Sequence, residues 1–242
     1  MAGDQGYAQQ QPVLITRRRR ALVIVVVAVL ITSALGVRYA GDSHPAWLDQ
    51  VALSAAREWF PMPRGLAMVV IGLYDLVPLV ISIALLAGVC LALARRKLAV
   101  LAVAGPVLTG IATTVVKPVI ERTKNGDLSY PSGHMGSAVA VAVVVSLLLV
   151  SMLGARRWVS VVAVAIPVMW GVTVGLAMTV TNYHYWTDAV GGFCVAVAVV
   201  LGLALLIDCV QARKIRIEAV SSTGGRTGVL GQSISGPRAP TP

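Results

Sequence analysis

Two histidines lie where apolar helices are expected to begin. His134 follows Pro-Ser-Gly directly before one apolar run, and His184 lies four residues before Asp188 at the start of another. Residues four apart share one face of a helix, so Asp188 can accept the Nδ1–H of His184 and leave Nε2 free as a nucleophile or base. A histidine at a helix N-terminus lies beside a natural anion site, where it can give a proton to a leaving oxygen. These positions indicate chemistry on an anionic group such as phosphate.

The segment that leads to the first of these histidines, KPVIERTKNGDLSYPSGH, is basic. Its three cations are Lys117, Arg122 and Lys124, and Ser132 and Gly133 come near its end. Lysine binds phosphate as a point charge and arginine as a bidentate fork. A serine can cap the following helix and donate to a phosphate oxygen, and a glycine lets the backbone approach closely. Cations can also snorkel to lipid headgroups, so this segment alone leaves both interpretations open.

Each histidine also has a simpler interpretation. Residues 182–188, NYHYWTD, contain aromatic side chains typical of a membrane–water interface, where His184 would be incidental. His134 would then belong to an ordinary capped helix start. The remaining histidine, His44, has no carboxylate four residues away and is interpreted as a polar loop residue. The choice depends on whether the separate sites lie on one side of a membrane.

The elements that carry these sites are predicted to be membrane-spanning helices. Of the 242 residues, 57% are hydrophobic and 12% are charged, against about 25% charged residues in soluble domains. Mean hydropathy is +0.82. The sequence predicts an all-α bundle of six transmembrane helices, because six apolar runs are long enough to cross about 30 Å of hydrocarbon. These runs lie at about 21–37, 70–94, 98–116, 135–154, 158–180 and 189–207.

The basic residues predict the orientation. Twelve of the 20 Lys and Arg residues fall in four clusters that alternate with the other loops, so the positive-inside rule places both termini in the cytoplasm. The clusters are 17–20, 95–97, 156–157 and 213–216, and the predicted outer loops are 38–64, 117–134 and 181–188. The net charge of +10 is therefore attributed to membrane topology and not to nucleic-acid binding.

Three parts of the chain can be distinguished. A basic cytoplasmic tail (1–20) precedes the six-span domain (21–207), and a cytoplasmic C-terminal tail (208–242) follows it. The C-terminal tail is rich in Gly, Ser, Thr and Pro from about Glu218 and is expected to be disordered. In the first outer loop, segment 47–60 fits either an amphipathic helix at the interface or a simple structured loop.

Two polar features lie within or beside apolar runs. Asp75 lies near the outer end of the second run, where an acid is a candidate functional residue, although an interfacial position is favoured. Cys90, Cys194 and Cys209 show no metal-ligand spacing, so neither a zinc site nor a disulfide framework is inferred.

The predicted topology places all three polar sites on the outer side. The basic segment follows the third span, PSGH precedes the fourth, and the His–Asp pair begins the sixth. Three weak patterns on one face of the membrane together are stronger evidence for a functional site than any one of them alone. They favour a phosphate site over the simpler interpretations.

The order Lys…Arg, PSGH and His-x-x-x-Asp resembles the type 2 phosphatidic acid phosphatase superfamily, in topology over about 65–207 and in motif over 117–188. Its members include bacterial lipid phosphatases, polyprenyl diphosphate phosphatases, glucose-6-phosphatase and vanadium haloperoxidases. The resemblance implies that His184 is the nucleophile that forms a phosphohistidine, that Asp188 orients it, and that His134 protonates the leaving group. No metal or other cofactor is implied. The implied phosphate ligands are Lys117, Arg122, Ser132 and Gly133, with Lys124 as a further candidate.

The sequence departs from the family pattern at two places. The first motif usually has Arg-Pro seven positions after its lysine, where this chain has Lys124, and Arg122 is an alternative. The third motif usually has Ser-Arg six to seven positions before its histidine, where Ala177 and Met178 stand. Losing a charge-assisted hydrogen bond to phosphate costs about 1.5–3 kcal/mol unless another donor, such as Asn182 or Lys124, replaces it.

The sequence therefore predicts a metal-independent enzyme of the plasma membrane that hydrolyses a lipid phosphate at an extracytoplasmic site. The first expected substrate is a polyprenyl diphosphate or a related carrier used in building the cell envelope. A glycerolipid phosphate, either phosphatidic acid or phosphatidylglycerol phosphate, is the alternative, as is transfer of the phosphate to another alcohol. Because one arginine is missing, a non-catalytic lipid-phosphate binder or transport component is an alternative of another class. The expected partners are the substrate and the membrane, and the oligomeric state is left open.

Overall fold

A computed structural model describes residues 14–230, with side chains as far as Ile217. The predicted tail residues 1–13 and 231–242 lie outside this range. The described elements, in chain order, are α1 (Arg18–Arg38), α2 (Trp47–Trp59), α3 (Arg64–Gly72), α4 (Leu76–Ala92), α5 (Arg96–Ile120), β1 (Thr123–Lys124), β2 (Asp127–Leu128), α6 (Gly133–Leu153), α7 (Arg157–Val180) and α8 (Trp186–Leu230).

Within the described residues, five long helices and one bent helix pair are apolar enough to span a membrane. Helices α1, α5, α6, α7 and α8 are each long and apolar enough to cross a bilayer. Helices α3 and α4 together provide the other span, which bends by 58° at residues 73–75. The predicted all-α bundle of six transmembrane helices is confirmed. The second span was predicted over 70–94, and the structure begins it at Arg64 because the apolar run already starts at Gly65.

Helix α8 continues well past the predicted end of the last span. The chain forms two compact units that divide within this helix, after Leu205. The tail was expected to be disordered from about Glu218, whereas the structure is helical to Leu230. Neither glycine nor proline occurs between positions 203 and 223, so the sequence contains no strong helix breaker where the apolar run ends.

The first outer loop contains a helix, as one of the two sequence interpretations proposed. Helix α2 has exposed tryptophans at both ends, Trp47 and Trp59, each 72% exposed, which suits a position at the membrane interface. It packs against α7. Asp49, in its first turn, is buried and accepts a hydrogen bond from the backbone N–H of Ala46 at the helix start. The helix therefore directs one carboxylate inward.

The second outer loop contains a tight β-hairpin. Strands β1 and β2 pair antiparallel, with Lys124 opposite Asp127. The two residues between the strands, Asn125 and Gly126, have positive φ angles of 54° and 91°, which a type I′ turn requires. Sequence analysis did not identify the hairpin, although Asn-Gly is its strongest short-range signal. The turn folds Lys124 inward, where it is 8% exposed.

Glycines bring the start of α8 against the start of α6. A Cβ on Gly192 would collide with the carbonyl oxygen of Ser132, and one on Gly191 would collide with the ring of Tyr130. Small residues allow helix backbones in a membrane to approach closely. The close crossing places the His-Asp segment beside the PSGH segment.

Candidate active site

His184 lies in the turn between α7 and α8. Helix α7 ends at Val180, the chain turns through Asn182 with a positive φ of 60°, and α8 begins at Trp186. Nδ1 of His184 lies 3.5 Å from Oδ2 of Asp188, slightly beyond an ordinary hydrogen bond. His184 is 8% exposed, and Asp188 is fully buried. Catalytic hydrogen bonds are often long without substrate, so this carboxylate is positioned to orient the imidazole.

The surroundings of His184 favour its neutral form. Burial lowers the pKa of the His184 imidazole below its usual value, and the Asp188 carboxylate partly opposes this by raising it. The positive charge of Lys117, in the last turn of α5, lowers this pKa further, as does His134. A neutral imidazole retains a lone pair, which is the form that attacks phosphorus. The charges of Lys117 and His134 therefore act on His184.

His134 lies in the first turn of α6, at the same end of the bundle as His184. The ring of Tyr183 contacts both imidazoles. It packs edge-on against His134, with centroids 5.4 Å apart, and against His184, with centroids 5.5 Å apart. Nε2 of His134 also lies 3.1 Å from Oδ1 of Asp75. The structure thus brings together the two histidines that the sequence assigned to the acid and nucleophile roles.

Ser132 joins the two motifs PSGH and His-x-x-x-Asp. As the N-cap of α6, its hydroxyl accepts a hydrogen bond from the backbone N–H of Met135 at 3.3 Å. Its own N–H donates to the carbonyl oxygen of Asp188 at 3.1 Å. Gly133 begins the helix, and a Cβ there would lie 3.6 Å from Oγ1 of Thr113. The N-terminus of α6 is therefore fixed beside Asp188.

Arg122 is bound by the protein itself. Its side chain is fully buried, and Nη2 donates to Oδ2 of Asp49 at 2.7 Å. Nη1 donates two hydrogen bonds, to Oδ1 of Asp188 at 2.7 Å and to Oγ1 of Thr187 at 2.6 Å. Two buried carboxylates thus take up the guanidinium that the sequence assigned to phosphate. A side chain with no exposed surface offers no place for a substrate, so this geometry favours a positioning role for Arg122.

Lys124 fits the role of a phosphate ligand better than Arg122 does. Its Nζ lies 4.1 Å from the centroid of the Tyr185 ring, which also stacks on the guanidinium of Arg122. Burial lowers the pKa of the Lys124 ammonium, while Asp188 and Asp49 raise it. Its ammonium takes part in no ion pair among the described residues, so its hydrogens remain available.

A cavity of about 270 Å³ lies against His184. Lys124 and Asn182, the two predicted substitutes for the missing arginine, both border it, and Asp49 of α2 also lines it. The cavity therefore combines a histidine with a cation and an amide donor.

Met178 occupies the position where the family pattern has arginine. It is fully buried, and its sulfur lies 3.6 Å from Oγ of Ser132. Its carbonyl oxygen accepts the backbone N–H groups of Tyr183 at 2.8 Å and His184 at 3.4 Å. An apolar side chain thus packs directly against the PSGH segment, and the cations of the site come from the second outer loop and the end of α5.

Two carboxylates near the site were not predicted as site residues. Asp49 gave no signal, because an acid in an amphipathic outer helix is ordinarily solvated. Asp75 was interpreted as interfacial; its carboxylate is 63% exposed and is bonded to His134. Within residues 14–230, no group of three or more His, Cys, Asp and Glu side chains is arranged to hold a metal ion. Metal independence remains a prediction.

Comparisons with known proteins agree with this architecture. No curated protein matches the sequence significantly. Among solved structures, the crystal structure of the first transmembrane PAP2-type phosphatidylglycerolphosphate phosphatase from Bacillus subtilis has the same fold, with a TM-score of 0.54 and 18% sequence identity. The match covers 81% of this chain and 96% of that chain. The sequence profile of the PAP2 superfamily matches residues 75–211, which is more than half of the chain and contains both histidines. The resemblance inferred from the motifs is confirmed, and the chain belongs to the PAP2 superfamily.

Proposed function

We propose that this protein removes phosphate from a lipid through a phosphohistidine formed on His184. Membership of the PAP2 superfamily supports a phosphatase that acts on lipid phosphates. The observation that carries the proposal is the convergence at one end of the bundle of a buried His–Asp pair, a second histidine and two lysines. A simple binding site has no need of both an acid and a nucleophile.

The position of an apolar groove supports a lipid substrate. A groove of about 420 Å³ runs between α4 and α5 and reaches Ser137, one turn into α6. It is lined by Leu76, which directly follows the Asp75 that bonds His134, and by Thr114 of α5. A hydrocarbon chain in this groove would place its phosphate near the two histidines. Our first candidate is a polyprenyl diphosphate or a related polyprenyl-phosphate carrier of the cell envelope.

The proposed reaction has two steps. Nε2 of neutral His184 attacks phosphorus, the P–O bond to the lipid breaks, and the leaving oxygen takes a proton from His134. The oxygen of a water molecule then attacks phosphorus, the bond between phosphorus and Nε2 of His184 breaks, and the water gives a proton back to His134. Phosphate is released and both rings are restored. Asp188 stabilises the positive charge on His184, while Lys117, Lys124 and the N-terminus of α6 stabilise the phosphoryl oxygens.

One observation favours a second candidate, a lipid-phosphate binder without turnover. The family arginine is replaced by Met178, and a fully buried methionine supplies neither charge nor hydrogen-bond donors. This candidate requires that Lys124 and Asn182 bind phosphate without accelerating its transfer.

The proposed orientation follows from the basic clusters. Arginines at the starts of α1, α5 and α7 lie at the end of their helices opposite the site. By the positive-inside rule this end faces the cytoplasm, with the site on the outer face of the plasma membrane.

The deciding experiment measures phosphate release by the purified protein from a polyprenyl diphosphate, phosphatidic acid and phosphatidylglycerol phosphate, with EDTA and no added metal. We expect release from at least one lipid, and a loss of at least about 10³-fold in His184→Ala. The matched control is His44→Ala, because His44 is exposed and bonds only its neighbour Ser43. No release from any lipid by folded protein would favour the binder, and release that requires added magnesium would contradict metal independence.

A further inference from the structure

The side chain of Asp75 does not form the N-cap hydrogen bond that its position at the start of α4 would allow. It is the N-cap of α4, directly after the 58° break, where aspartate usually accepts from the first N–H groups of its own helix. No such side-chain bond is present. Its Oδ1 instead lies 3.1 Å from Nε2 of His134, 59 residues further along the chain. The carboxylate therefore bonds a residue distant in the chain and not the N–H groups of its own helix.

The break that presents Asp75 is held in place. The backbone N–H groups of Tyr74 and Asp75 donate to the carbonyls of Ile71 and Gly72, which closes the turn between α3 and α4. The indole Nε1–H of Trp170, on α7, donates to the hydroxyl of Tyr74. Helix α3 also packs against α7. The position of Asp75 is therefore set by backbone bonds and by a neighbouring helix, although its carboxylate is 63% exposed.

The two histidines face their carboxylates through opposite nitrogens. Asp188 lies at Nδ1 of His184, which leaves Nε2 of that ring for the attack on phosphorus. Asp75 lies at Nε2 of His134. Because a carboxylate can only accept, Nε2 of His134 carries the hydrogen of this bond. The second proton of the imidazolium then resides on Nδ1, the nitrogen left for the leaving group.

We propose that Asp75 is a positioning residue for the proton donor, and that it fixes His134 so that Nδ1–H protonates the departing lipid oxygen. This inference rests on the proposed function and deepens it. In the step concerned, the bond between phosphorus and the lipid oxygen breaks and its electron pair stays on that oxygen. The Nδ1 proton of His134 then forms the new O–H bond, while Nε2 of His184 bonds to phosphorus. The pairing of Asp75 with His134 suits a leaving group that is an unactivated alkyl alcohol or a phosphate, because such a group leaves readily only when it is protonated.

The test compares leaving groups that do and do not need this proton. The full-length protein and its Asp75→Asn and Asp75→Ala variants are assayed on a lipid phosphate and on p-nitrophenyl phosphate, whose leaving group departs without protonation. The quantity compared is kcat/KM, because it reports the steps up to departure of the leaving group. The control is Glu58→Gln, which changes an exposed acid on α2.

We expect Asp75→Ala to lower kcat/KM for the lipid phosphate by about 10–100-fold and for the aryl phosphate by less than about 3-fold. Asp75→Asn should lose less, because its amide oxygen can still accept from Nε2–H. In a His134→Ala background the Asp75 changes should add almost nothing, since the group they position is gone.

The outcomes separate the inference from the proposed function. If the wild-type protein hydrolyses the lipid but the Asp75 variants match it, or lose equally on both substrates, the positioning role is overturned and hydrolysis stands. Equal losses would mean that Asp75 only supports the fold, which thermal unfolding of the Asn variant would also reveal. If the wild-type protein hydrolyses neither substrate, the proposed function fails and this inference fails with it.

Discussion

At the scale of single residues, Asp188 is held from three directions. Oδ1 accepts from Arg122, Oδ2 accepts from the backbone N–H of Tyr185 at 3.2 Å, and its carbonyl oxygen accepts from Ser132. A fully buried carboxylate needs a nearby cation, because an uncompensated charge in the interior is costly. Arg122 supplies this charge to Asp188 and, on its other side, to Asp49. Arg122 therefore influences His184 through Asp188.

Replacing Arg122 should lower the stability of the fold more than it weakens substrate binding. Arg122→Ala removes the ion-pair partner of two buried carboxylates, so we expect the free energy of unfolding to fall by about 3–5 kcal/mol. Unfolding in mixed detergent micelles measures this, with the exposed Arg57→Ala as control. An Arg122→Ala protein of wild-type stability whose only defect is a raised KM would instead identify Arg122 as a direct phosphate ligand.

His184 should stay neutral below the pH at which free imidazole takes up a proton. Its pKa is lowered by burial, so the folded protein resists protonation of this ring while the unfolded chain does not. Stability from this group is therefore complete above about pH 6.5 and declines as the pH falls from there towards the lower pKa of the folded state. Histidine NMR signals titrated with pH, assigned by loss of one signal in His184→Ala, measure the shift. A midpoint at or above pH 6.5 would contradict it.

At the scale of elements, the crossing of α6 and α8 positions the site. The turn after α7 and the N-cap of α6 meet because Gly191 and Gly192 let the two helices approach. A backbone hydrogen bond from Ser132 to Asp188 then joins them. The distance between the PSGH segment and the His–Asp pair thus depends on the absence of two side chains.

Adding a single methyl group at this crossing should disrupt it. Gly192→Ala places a Cβ against the Ser132 carbonyl oxygen, and backbone cannot move aside as a flexible side chain can. We expect a loss of stability of about 1–3 kcal/mol together with a loss of phosphatase activity. Gly202→Ala, on the same helix but with no atom within 4 Å of the added carbon, is the matched control. Equal behaviour of the two variants would show that close packing here is unimportant.

The spans and the main motifs could be predicted from the sequence, because hydropathy and spacing are local signals. His184 and Asp188 share one helix start, and His134 directly precedes an apolar run. The partners of Asp49 and Asp75 could not be predicted. These carboxylates bond to residues 73 and 59 positions away, and no pattern in one sequence indicates which distant side chain a lone acid will meet.

At the scale of the whole molecule, the proposed topology of six spans predicts that both ends of the chain lie on one side of the membrane. The basic clusters predict that this side is the cytoplasm. A fluorescent protein fused after Pro242 should therefore be fluorescent, and a periplasmic phosphatase reporter at the same position should be inactive. A reporter phosphatase inserted in outer loop 38–64 should be active. The reverse pattern would place the active site on the cytoplasmic face.

The most direct test of the account is to trap the phosphorylated protein. Purified protein is mixed with a lipid phosphate labelled with radioactive phosphorus, quenched within milliseconds in alkali and digested. We predict an acid-labile, base-stable label on the peptide that contains His184, reduced to background in His184→Ala and unchanged in His44→Ala. Steady turnover by the His184→Ala protein, or a label on any other residue, would contradict the account.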